Sequence, residues 1–184
     1  MKAAARIVYQ KGVFALTLDA VAQEAEISKG GLLHYFKSKE ALVKAMVEYT
    51  SESYREGVEQ RVAHEELEKG MWTRSLIAET FEQAYDEEEL NASFLMAVAM
   101  KPELLEPIKN AYKHWQQKIE KDGLDPIEAS ILRLAIDGLW MNKLMGLYQF
   151  DESLLHHVYE RMIQKTMMMK PAIEEKKEEE TKDE

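Results

Sequence analysis

Ser28-Lys29-Gly30-Gly31 joins features that hold a phosphate: a hydroxyl residue suited to begin a helix, a cation, and glycines that let a polyanion approach the free N–H groups of a first turn. One turn on, His34 and Tyr35 face outward and can reach base edges or phosphate oxygens, and Lys39 stands beyond them at the start of the next helix. This is chemistry for docking on a nucleic-acid duplex rather than for turnover. No catalytic residue is expected, because the sequence holds no glycine-rich nucleotide loop or nucleophile elbow, and the carboxylates Glu82 and Asp86 read more simply as surface residues. The chain has no cysteine, which removes disulfides, thiolate metal sites and cysteine nucleophiles at once. His64, His114, His156 and His157 have no frame of neighbouring ligands, so neither a metal nor a cofactor is expected.

The elements that must position these residues are helices. Strong helix formers dominate the 184 residues, prolines number four, and no stretch alternates β-branched residues with period two. The expected class is all-α, with about nine helices. The first runs from about Lys2 to Lys11 and stops at Gly12, after which Val13, Phe14 and Leu16 are expected to pack beneath the next helix. Thr17 caps that second helix, with a buried stripe of Leu18, Val21, Ala22 and Ala25. Ser28 caps a third, with Leu32 and Phe36 turned inward, and Ser38 a fourth that carries Leu42, Met46 and Tyr49. Two short helices across a tight turn, propped by a third, make a helix-turn-helix whose second helix can enter a major groove. Longer helices are expected at roughly 39–63, 73–87, 90–100, 103–121, 126–148 and 152–169.

Charge is sorted along the chain. The net charge is −10, yet residues 1–49 hold seven Lys/Arg against five Asp/Glu, so the basic surface gathers where a polyanion would dock. Residues 171–184 hold three against seven without apolar period, and are expected to be a disordered charged tail. No run is long and apolar enough for a membrane span, and the absence of cysteine suits a reducing cytoplasm.

The order T-x-D-x-V-A-x-x-A-x-I-S-K-G-G-L-L-H-Y-F-K-S-K-E-A-L, over residues 17–42, is similar to the signature of the tetracycline-repressor (TetR) family of bacterial regulators. The resemblance covers roughly residues 3–48. It implies a homodimer with two DNA-reading heads and an all-helical effector-binding body. The DNA-facing set is then Thr17, Ser28, Lys29, Gly30, Gly31, Leu33, His34, Tyr35 and Lys39. Two positions depart from the family pattern. Glu26 stands where glycine is usual and is expected to take a positive φ at a cost of about 1 kcal/mol. Leu33 replaces a tyrosine whose hydroxyl would reach a phosphate. Little basic sequence precedes the first helix, so minor-groove contacts from an arm are not expected.

The body is expected over residues 49–170, after a head at 1–48. Leu104, Ile108, Tyr112, Trp115 and Ile119 form one stripe, and Phe94, Met96, Val98 and Met100 surround the preceding helix; both groups are expected to face the interior. Residues 126–148 are apolar on more than one face, as for a helix that serves its own core and a partner chain. Ala135, Gly138, Asn142 and Gly146, with Leu155, Val158, Tyr159 and Met162 of the last helix, are the expected dimer interface. Phe94, Trp115, Trp140, Met141 and Met145 are the expected lining of a pocket for a small, apolar or amphipathic effector. The partners expected are therefore double-stranded operator DNA, an effector and a second copy of the chain, with no membrane. A helical module that keeps the fold but binds a protein through its head is the alternative reading.

Overall fold

The computed structural model describes residues 1–83 and 88–169. Among them are nine α-helices, two short 3-10 turns and no β-strand. The helices are α1 Lys2–Lys11, α2 Leu18–Glu24, α3 Lys29–Tyr35, α4 Lys39–His64, α5 Met71–Gln83, α6 Glu88–Met100, α7 Glu106–Ile119, α8 Pro126–Met145 and α9 Glu152–Met168. Asp86 and the tail at 171–184 lie outside the described residues.

Local chemistry sets the helix starts. The side chains of Thr17, Ser28 and Ser38 each accept from the backbone N–H three residues on, at 3.1, 3.0 and 3.0 Å. α2 ends in a Schellman turn: Glu26 N–H donates to Gln23 O and Ile27 N–H to Ala22 O, with Glu26 at φ 55°. The expected positive φ at Glu26 is therefore present. α8 stops at Met145, short of the expected 148, because Gly146 turns left-handed (φ 60°) and Leu147 N–H donates back to Asn142 O.

Two buried clusters form the core. In the first, Leu16, Val21, Leu32, Leu42, Met46 and Val47 from the helix-turn-helix segment pack with Ala92, Met96 and Ala97 of α6, and Phe36 leans against them. Thr50 and Ser93 hydroxyls bridge α4 to α6 at 3.0 Å. In the second, Trp115, Ile119, Leu132, Ile136 and Met162 close on Leu76 and Ile77 of α5.

Several apolar residues sit elsewhere than expected. Phe14 is 94 % exposed, since the 3-10 turn at Val13–Ala15 buries Leu16 and rotates Phe14 outward. Tyr49, Val98 and Met100 are likewise exposed. Met162 and Tyr159, expected at a subunit interface, belong to the subunit's own packing: Met162 is buried and Tyr159 lies 5.4 Å from the Phe81 ring. Helical spacing puts them on an apolar stripe of α9 without saying which neighbour that stripe meets.

Candidate functional site

The head presents α3 as a short rod anchored by buried Leu32. Ser28, Lys29, Gly30, His34 and Tyr35 are exposed, and Gly31 and Leu33 half-buried, so the glycine-bearing first turn and the outer face of α3 lie together. Thr17 is exposed at the start of α2, and Lys39 half-buried at the start of α4. The His34 and Tyr35 rings meet edge to face at 5.3 Å. Lys29 Nζ is paired with Asp19 at 2.8 Å, an exposed contact that an incoming phosphate can compete for. No ion pair of Lys37 or Lys39 is present among the described residues.

A small cavity of about 70 Å³ lies in the body between α4, α5, α6, α7 and α8. Trp115 and Trp140 of the expected pocket line it, together with Ser51, Tyr54, Tyr112 and Arg133. Phe94 does not reach the lining but holds Trp140 edge to face at 5.0 Å. Met141 and Met145 are on the outside, 38 % and 61 % exposed, because the helix face carrying Arg133, Ile136 and Trp140 is the one turned inward.

The cavity lining is mostly apolar and carries a few polar groups. Arg133 is buried, donates from Nε to both oxygens of Asp137 at 3.2 and 3.3 Å, and lies 4.4 Å over the Tyr112 ring. Tyr112 donates to Asp137 at 3.2 Å; burial, then the nearby Asp137 charge, pushes its phenol up to about 12. Burial likewise holds the Tyr54 phenol above its ordinary range, and its hydroxyl bonds Thr80 at 2.7 Å. Both tyrosines are neutral hydrogen-bonding groups at physiological pH. A wider groove of about 880 Å³ between α4 and α7 shares Ser51, Ala111 and Trp115 with the cavity. Arg133, Tyr54 and Asp137 are cavity residues that sequence reasoning missed, while Tyr112 was placed on the inward stripe of α7 but not in the pocket. The available signal was a lone arginine between Leu132 and Leu134, with an aspartate one turn on.

On the opposite side of α8, Ile131, Leu134, Met141 and Met145 are exposed, and Leu154 and Val158 of α9 add to the apolar surface. Ala135 and Gly138 are exposed and Leu155 half-buried; a β-carbon at Gly138 would meet nothing within 4 Å. Asn142 has a different task, donating to Tyr148 O at 2.7 Å beyond the helix end, and Gly146 supplies the left-handed turn.

Residues 1–46 match the family described as bacterial regulatory proteins, tetR family, and residues 70–167 match tetracyclin repressor-like C-terminal domains. The chain belongs to the TetR family. Its head is thus the DNA-binding helix-turn-helix domain of a TetR-family transcriptional regulator. No protein of curated function matches it in sequence. Solved structures share the fold at low identity. The fatty acid degradation regulator FadR from Bacillus halodurans is 15 % identical, with 90 % of each chain covered and a TM-score of 0.66. The TetR-family regulator SCO4454 from Streptomyces coelicolor is 18 % identical, with 90 % of each covered and a TM-score of 0.64. The multidrug binding protein EbrR complexed with ethidium is 21 % identical, covering 88 % of this chain and 94 % of that one, with a TM-score of 0.57.

Proposed function

We propose that this TetR-family protein is a cytoplasmic, ligand-responsive repressor that binds a pseudo-palindromic operator as a homodimer. The observation that carries the reading is the exposed α3 tip, where Ser28, Lys29 and Gly30 stand with His34 and Tyr35 on a helix whose other side is anchored in the core. An operator twofold mirrors a protein twofold, and the apolar surface of α8 and α9 supplies a self-complementary face for one. Heads at 1–48 would read the duplex, and the body at 49–170 would take the effector. EbrR, a neighbour in fold, was solved with ethidium, and the cavity beside Trp115 and Trp140 is this chain's equivalent candidate space. A ligand that fits one head spacing better than another would lower operator affinity by the ratio of its affinities for the two states. The test is fluorescence anisotropy of the purified protein on the DNA upstream of its own gene. Saturable binding with a steep salt dependence and excess over scrambled DNA supports the reading; equal affinity for both duplexes overturns it.

A further inference from the structure

Three buried polar atoms of cavity-lining residues have no hydrogen-bond partner among the described residues: Arg133 Nη1, Trp140 Nε1 and Ser51 Oγ. Two can only donate, and the third donates or accepts. Leaving a buried donor unpaired costs about 1–3 kcal/mol, and Arg133 is only 5 % exposed. The acceptors of Asp137 and Thr80 are already engaged. Both Asp137 oxygens receive Arg133 Nε, one of them also Tyr112, and the Tyr54 and Thr80 hydroxyls bond each other. The ring faces are taken as well, with the guanidinium 4.4 Å over Tyr112 and 5.6 Å from Trp115. A cationic ligand would meet aromatic faces held by the protein's own cation and a wall of donors.

We propose that this cavity, read above as the effector site, recognises a carboxylate borne on a ring, its oxygens accepting from Arg133, Trp140 and Ser51. A guanidinium favours a carboxylate over a neutral carbonyl because charge-assisted bonds are roughly twice as strong. The cavity's 70 Å³ falls below the roughly 150 Å³ that houses benzene. The carboxylate therefore occupies the cavity, and the ring lies toward the groove past Trp115. Four glutamates line that groove; Glu48, Glu52 and Glu106 are paired with Lys44, Arg55 and Lys109, which lessens their repulsion, while Glu103 has no ion pair among the described residues, and Asp137 in the cavity is bound by Arg133.

The experiment titrates the full chain with benzoate, benzamide and benzylammonium, by calorimetry and tryptophan fluorescence, in the wild type and in Trp140→Phe and Ser51→Ala. Unliganded melting curves of both variants serve as the fold control. Benzoate is expected to bind saturably, about tenfold or more tighter than either other probe, and each substitution to weaken it about five- to tenfold. Tighter binding of benzylammonium, benzoate binding indifferent to both substitutions, or no saturable benzoate binding overturns the proposal. If benzylammonium wins and Trp140→Phe weakens it, the ligand class falls while the cavity stands. If no probe responds to either substitution, the effector-site reading falls too.

Discussion

Gly57 of α4 lies against the carboxyl group of Glu79 in α5: a β-carbon at position 57 would stand 2.5 Å from Glu79 Cδ. Glu79 is buried and accepts from Arg61 Nε at 2.6 Å, so its carboxylate is held where the glycine leaves room. Gly57→Ala gains about 1 kcal/mol of helix propensity and displaces one member of a pair whose disruption costs about 3–5 kcal/mol when fully buried. Arg61 is about a third exposed, which reduces that loss. A net destabilisation of about 1–2 kcal/mol is expected, read as a lower urea midpoint at unchanged slope. A more stable variant would show that Glu79 moves aside freely.

Glu26 holds a left-handed conformation, which disfavours a side chain by about 1 kcal/mol, and its charge lies just before the α3 tip. Glu26→Gly relieves both, while glycine's freer unfolded chain takes back part of the gain. Expected are a stability increase of a few tenths to about 1 kcal/mol and tighter operator binding. Thermal melts and anisotropy check the two effects separately.

Lys39 and Asp19 test the docking face in opposite directions. Lys39→Ala should lower affinity about equally on all sequences and reduce the salt slope by about one. Asp19→Asn releases Lys29 from its ion pair and removes an anion, so affinity should rise. Titrations at several salt concentrations decide; an unchanged slope for Lys39→Ala removes that residue from the contact.

Gly138 offers a way to split a dimer without unfolding its subunits. No described residue lies within 4 Å of a β-carbon there and the position is exposed, so Gly138→Arg should leave the subunit fold intact and block close helix approach. Sedimentation equilibrium is expected to give a dimer for the wild type and a monomer for the variant. Equal masses would place the interface elsewhere.

Asp122 ties the start of α5 to the end of α7, accepting from Trp72 N–H, Thr73 N–H and the Thr73 hydroxyl at 3.1, 2.7 and 2.8 Å. Burial raises its carboxyl above the ordinary value, against the opposing effect of these bonds. The folded state then holds the proton more tightly than the unfolded one. Asp122's contribution to stability therefore declines as pH climbs from the ordinary carboxylate range through its raised value. In Asp122→Asn this slope disappears, so the wild type's advantage over the variant should shrink with rising pH across that window. Urea denaturation in a pH series measures it; an advantage that grows with pH refutes the assignment.

What was legible in the sequence was local. Thr17, Ser28 and Ser38 cap their helices because a short hydroxyl before an apolar stripe has one nearby N–H to satisfy, and Glu26 stood out because the family resemblance puts a glycine at its place. Which apolar face meets which neighbour was not legible. Met141 and Met162 are equally apolar in sequence, yet one is on the surface and the other is buried. The cavity was half visible: Tyr112, Trp115 and Trp140 follow from apolar stripes, whereas Tyr54 of α4 and Arg133 of α8 meet only through folding.

α6 belongs to two neighbourhoods at once. Asn91 lines the cavity and Phe94 steadies Trp140, while Ala92, Met96 and Ala97, on the same rod, plug the core beneath the recognition helix. A stiff shaft shared in this way behaves as a crank. A molecule that displaces Asn91 is expected to carry Ala92, Met96 and Ala97 with it, and so to disturb the α1 and α4 surfaces on which α6 packs.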